Sequence, residues 1–167
     1  MAILKILTDE DQTLRMTSRP VTEITPRIIR LIDDMRATLK KSGGVGLAAV
    51  QVGVLRRVVL VEDADGSVLE LINPEIIERE GEQHELEGCL SVPGRWGITD
   101  RPESVTVRAL DRTGREFTVS GTGLQARCFC HELDHLDGIL FTDHARMLTE
   151  EEMAQLSGEE EDDGQDG

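Results

Sequence analysis

Positive charge and cysteine are scarce in this sequence, and it contains no long apolar run. Of its 167 residues, 18 are Lys or Arg against 33 Asp or Glu, a formal charge of −15. Part of that excess is local. Glu159 to Asp166 holds six acidic residues and no basic one, leaving −9 for the rest of the chain. A surface this acidic excludes a broad nucleic-acid-binding face, though not a local basic patch. No stretch approaches the ~20 apolar residues needed to span a bilayer, so no membrane partner is expected. Met1-Ala2-Ile3-Leu4-Lys5-Ile6-Leu7 lacks the basic and long apolar regions of a secretion signal. Three cysteines, an odd number, do not form a disulfide framework. These features point to a cytoplasmic protein with reduced thiols. Cys89, Cys128 and Cys130 are then free to be ligands, nucleophiles or core residues.

The length suits one domain with a real core, and no linker or internal repeat divides it. Residues 1–20 read as an irregular arm. Thr25-Pro26 is a helix start, a hydroxyl cap followed by proline where its missing N–H costs nothing. Ile28, Leu31, Ile32, Met35 and Leu39 recur at helical spacing, and Ser42-Gly43-Gly44 ends the run. Gly44-Val45-Gly46-Leu47-Ala48-Ala49-Val50-Gln51 reads as a tight turn into a buried strand, and it lacks the residues of a phosphate or dinucleotide loop. Strands are expected over Arg57 to Val61 and Val68 to Ile72, turning at Asp65-Gly66, with Asn73-Pro74 ending the second. Ile76-Ile77 is read as the start of another short strand, and Glu85 to Ser91 as the next extended stretch. A hairpin follows from Val105 to Leu110 and Glu116 to Val119. Leu124 to Leu136 reads as a helix with Gly138 just past its end, and Glu150 to Leu156 as a last short one. The expected fold is α+β: antiparallel strands around a central helix, preceded by an N-terminal helix. The domain is expected over residues 1–157, with 158–167 a disordered acidic tail.

The central helix carries His131-Glu132-Leu133-Asp134-His135. Histidines four apart on a helix share a face and can grip one metal ion, with the glutamate near an open position to take a proton from water. Two surface histidines on an amphipathic helix would give the same pattern, and a metal needs a third ligand. Cys89, in Glu87-Gly88-Cys89-Leu90-Ser91, is the strongest candidate, although an isolated cysteine is usually a small buried hydrophobe. A thiolate with two imidazoles leaves one position open, the arrangement of a catalytic site. Cys128 reads as core-facing, and Cys130 points about 100° around the helix from His131. His84 and His144 read as surface or loop residues, and Asp134 as a solvated aspartate ahead of one that bonds a neighbouring group and orients the helix.

Three of these stretches, Gly44 to Gln51, Glu87 to Ser91 and His131 to His135, resemble in order and spacing the motifs of the peptide deformylases. The Leu14-Arg15 arm and the Arg108-Ala109-Leu110-Asp111-Arg112-Thr113-Gly114 hairpin are similar too, so the likeness covers about residues 3–147. It implies a hydrolase that removes the formyl group from N-formylmethionyl peptides, with one divalent metal ion per chain, usually Fe²⁺. Zn²⁺, Ni²⁺ or Co²⁺ would also suit the ligands. By position, Cys89, His131 and His135 would hold the metal, and Glu132 would be the acid/base. Gln51 and the Leu90 backbone N–H would stabilise the oxyanion. Val45, Gly46 and Gly88 would flank an extended peptide, and Leu124, Arg127 and Cys128 would wall the methionine pocket. Arg101 would pair with Glu87 behind the ligands. A monomer with transient ribosome association is the matching expectation for partners. Two positions depart from the family pattern: Cys130 stands where a glutamine is usual, and Gly43 where many members carry an acid. The main rival is a zinc peptidase drawing its third ligand from Glu150, Glu151 or Glu152. A second is a closed structural zinc module, which needs a fourth ligand.

Overall fold

A computed structural model describes residues 1–156, so the expected disordered tail at 158–167 lies outside the described residues. Helix α1 spans Pro26–Ser42, and its limits follow from its ends. The Thr25 side chain accepts a hydrogen bond from the Ile28 N–H, and Gly43 closes the helix in a left-handed conformation at φ 73°. Eight strands follow the order β1 (Gly46–Ala48), β2 (Val58–Glu62), β3 (Val68–Glu80), β4 (Gln83–Cys89), β5 (Val92–Arg101), β6 (Ser104–Leu110), β7 (Glu116–Thr122) and β8 (Arg146–Met147). Helix α2, Leu124–Leu136, lies between β7 and β8. A last helical turn covers 150–156.

The strands form two antiparallel sheets, one ordered β1-β2-β3-β6-β7 and the other β4-β5-β8. The first sheet is a filling between the two helices. In β2, Val59 and Val61 join the cluster under α2, with Leu71, Val107, Phe129, Leu133 and Leu136. Val58 and Leu60 point the other way, into the cluster under α1 with Ile32, Met35, Leu39 and Ile72. Alternate residues of a strand face opposite sides, so burial on both faces requires an unbroken apolar run, which Val58-Val59-Leu60-Val61 supplies. All four are fully buried.

Two strand expectations need correction. β3 does not stop at Asn73-Pro74 and restart at Ile76; it runs through to Glu80 with its register against β6 shifting between Ile72 and Glu75. Asn73 takes a positive φ of 53° there, and its side-chain amide bonds both the N–H and the carbonyl of Val21. Proline is tolerated at such a bulge because no ladder bond is asked of it. Strand β5 was not anticipated. Val92-Pro93-Gly94-Arg95-Trp96-Gly97 lacks alternation, and its pairing with β4 and β8 is a tertiary matter.

Candidate metal centre

β1 ends one sheet and β4 ends the other, so both present an unpaired edge. Between them lies a cavity of about 480 Å³, with Gly44, Val45 and Gly46 on one side and Gly88, Cys89 and Leu90 on the other. Leu124, Arg127, Cys128, His131 and Glu132 come up from α2, and Gln51 closes the inner end. Two facing strand edges with free backbone groups suit an extended peptide laid between them.

Cys89 Sγ and one ring nitrogen each of His131 and His135 lie within 4.8 Å of one another. The Cys89 sulfur is 3.4 Å from His135 Nε2. Tetrahedral ligands at usual zinc bond lengths would stand about 3.5 Å apart, so the spacing fits one shared ion. The donor chemistry also fits: one thiol and two imidazoles converge, and both imidazoles are buried. Among the described residues no other such group of His, Cys, Asp or Glu occurs, and none of Glu150, Glu151 and Glu152 belongs to this one. Glu152 instead meets Arg146 at 3.3 Å. This geometry favours neither a peptidase-type third ligand nor a closed four-ligand site.

Behind the cluster runs a buried polar chain. His131 Nδ1 is 2.6 Å from Glu87 Oε2, and Arg101 donates to both oxygens of Glu87 at 3.2 and 2.8 Å. Arg101 also donates to Asp134 at 2.7 Å, which returns the chain to α2 one turn after His131. Thus the Arg101–Glu87 pair is present, while Asp134 is an ion-pair partner rather than a solvated aspartate. Burial alone would raise the Glu87 pKa, but the bonds from His131 and Arg101 outweigh it and hold the carboxyl down at about 2. An ionised Glu87 accepts a hydrogen bond from the His131 Nδ1–H, which fixes the tautomer and leaves Nε2 as the free ring nitrogen. Thr99 adds a bond to Glu87 at 2.9 Å.

Glu132 is buried against Gly46, whose missing side chain makes the space: a Cβ there would come within 2.5 Å of the Glu132 carboxylate and 2.7 Å of Cys128 Sγ. Burial raises its pKa to about 7, chiefly by desolvating the charged form, so proton uptake and release are both accessible near neutrality. The Gln51 amide is fixed at both ends. Its oxygen accepts from the Ala48 N–H at 2.9 Å, and its nitrogen donates to Ser91 Oγ at 3.0 Å while lying 3.7 Å from Cys89 Sγ. That network sets which end of the amide faces the cavity. Arg127 turns its guanidinium onto Gln83 at 3.0 Å and ties α2 to β4. Cys128 lies against the Val45 carbonyl at 3.6 Å, while Cys130 packs into the core. His84 sits exposed beside Asp100, whereas His144 reaches to 3.6 Å from Asp134.

All twelve residues expected to hold the metal, act in catalysis or touch the peptide gather here, eleven lining the cavity and His135 completing the metal cluster. Sequence reasoning missed Pro93, Arg95 and Trp96, which line it from β5. The signal was the lone tryptophan, seven residues after Cys89.

An α+β fold that holds a thiol, two imidazoles, a carboxylate and an oriented amide around a peptide-sized cleft has the equipment of an amide hydrolase. The chain matches the family model for polypeptide deformylase over residues 3–151. It is 54% identical over 154 residues to the peptide deformylase of Acetivibrio thermocellus, covering 92% of this chain and 90% of that one. To the peptide deformylase of Caldicellulosiruptor bescii it is 50% identical over 156 residues, 93% of each. Among solved structures, a peptide deformylase from Legionella pneumophila superposes with a TM-score of 0.83 at 41% identity over 98% of each chain. One from Ehrlichia chaffeensis in complex with actinonin gives 0.83 at 36% identity, over 90% of this chain and 91% of that one. The chain belongs to the polypeptide deformylase family and is an enzyme of that kind.

Proposed function

We propose that this enzyme removes the formyl group from N-formylmethionine at the start of newly made polypeptides, releasing formate. The reading rests on one observation above all: Cys89, His131 and His135 converge beside Glu132 at the floor of a cleft between two strand edges. Those three side chains would hold one divalent ion, Fe²⁺ by family resemblance, with Zn²⁺, Ni²⁺ and Co²⁺ compatible with the donors. The ion, when bound, supplies Lewis acidity to the formyl carbonyl and makes nearby water a better acid. Glu132 takes a proton from the attacking water and returns it to the departing amine. Gln51 Nε2 and the Leu90 N–H donate to the oxyanion that develops on the formyl oxygen. The Val45–Gly46 edge and Gly88 take the peptide backbone. Leu124, Arg127 and Cys128 form the wall against the methionine side chain. Glu87, braced by Arg101, keeps His131 in one tautomer and orientation. The same reading has a monomeric cytoplasmic enzyme of one catalytic domain, 1–157, in transient contact with the ribosome.

The test is formate release from a formyl-Met peptide by protein loaded anaerobically with Fe²⁺ and, separately, with Zn²⁺. Release with at least one ion is expected. No formate with either would overturn the assignment.

A further inference from the structure

The cleft has a feature that neither the metal cluster nor the methionine wall uses. Trp96 is the only tryptophan of the chain, yet it is 45% exposed. An indole left this open forgoes nearly half of its burial, so its place at the rim of a cavity calls for an explanation. The ring is not loose. It lies on Gly88 so closely that a Cβ at that position would overlap its six-membered ring. β5 also holds its backbone in place: Gly97 pairs with Glu87 on one side and Met147 on the other, and the Trp96 carbonyl accepts the Leu148 N–H at 2.9 Å. Gly88 is therefore a seat for the indole on the β4 edge of the cleft. Val45 and Leu124 line the same cavity and are also exposed, at 42% and 56%. Three large apolar side chains thus stand open around one mouth.

We propose that Trp96 is a specificity-determining residue: its indole forms an apolar platform for the side chain of a residue following the formyl-methionine, and favours an aromatic or large apolar one there. The inference rests on the function proposed above, because it takes the peptide to lie along the β4 edge. An extended peptide passing Gly88 runs beside the ring that Gly88 seats. Its side chains project alternately from the two faces of the strand, so one soon after the methionine comes over the indole. Rigid aromatic surface held in place before binding loses little freedom when a ligand covers it.

Two measurements test this. In the first, kcat/KM is compared for formyl-Met-Ser-Ser, formyl-Met-Phe-Ser and formyl-Met-Ser-Phe with the metal-loaded protein and with Trp96→Ala and Trp96→Phe. The parent should prefer one of the Phe peptides, and Trp96→Ala should shrink that preference by roughly five- to tenfold, the scale of a lost aromatic pair. Trp96→Phe should restore part of it. In the second, the zinc-loaded Glu132→Gln protein is titrated with the same peptides while its single indole is excited at the red edge of absorption. The favoured Phe peptide should shift the emission to the blue, and formyl-Met-Ser-Ser should shift it less. A Trp96→Ala protein that melts as the parent does and keeps the same preference among peptides would overturn the proposal. So would an equal loss on all three peptides, or an emission that none of them moves. Failure of the deformylase reading looks different: no peptide yields formate from any variant.

Discussion

The two sheets of this enzyme are built on opposite principles. In the five-stranded sheet, nearly everything buried is apolar, and the two largest side-chain clusters of the molecule lie on its two faces. In the sheet β4-β5-β8 the only fully buried hydrophobic residue is Val92, while Gln83, Glu87, Thr99 and Arg101 are buried polar groups. The first sheet is held by area removed from water, about 25 cal/mol per Å² of apolar surface. The second is held by directed bonds, whose net worth is small because desolvation offsets the attraction. The bonded chain from His131 through Glu87 and Arg101 to Asp134 fixes one arrangement of the groups around the site. The molecule keeps its stability in one sheet and its chemical geometry in the other.

The comparison breaks most sharply at the metal cluster. Cys89→Ala, at the end of β4, should lose both metal and formate release, as read by metal content per chain and a formate assay; retention of both would refute its role as ligand. Glu132→Gln should keep about one metal per chain and yet lose on the order of 10²-fold or more in turnover. Gln51→Ala should lose roughly 10²-fold in turnover while still binding metal. Further from the chemistry, Glu87→Gln should weaken metal affinity by about 10- to 100-fold through a less firmly held His131, measurable by competition with a chelator. Leu60→Ala tests the other sheet. It should cost roughly 2–5 kcal/mol in denaturant unfolding while the folded fraction keeps its kcat. An unfolding free energy in Leu60→Ala equal to the parent's, or a loss of kcat in its folded fraction, would remove the division of labour argued here. The smallest effect is expected from deleting 158–167, which carries no apolar side chain to bury. Turnover should stay unchanged, and a several-fold fall at ordinary salt would contradict that.

Features that depend on neighbours a few residues away are legible in the chain alone. The limits of α1 follow from Thr25, Pro26 and Gly43, which cap their own helix. The pairing of His131 with His135 follows from the helical repeat, and the double-faced burial of β2 from four consecutive apolar residues. Cys89 stands out as a third ligand by its donor chemistry and Gln51 only by resemblance to a known family, and nothing local draws either to α2. Long-range packing decided that Gln51, Cys89 and the α2 histidines meet, for Gln51 and Cys89 lie 38 residues apart in the chain and Cys89 and His135 lie 46 apart. It also decided that Asp134 faces Arg101 across 33 residues, that Asn73 bends β3 without ending it, and that Trp96 lies on Gly88. Capping and periodicity are set by bonds within a turn or two of chain, so composition and spacing reveal them. Which strand edge faces which, and what a buried carboxylate leans on, depends on how two sheets pack across one helix, and no local pattern encodes that.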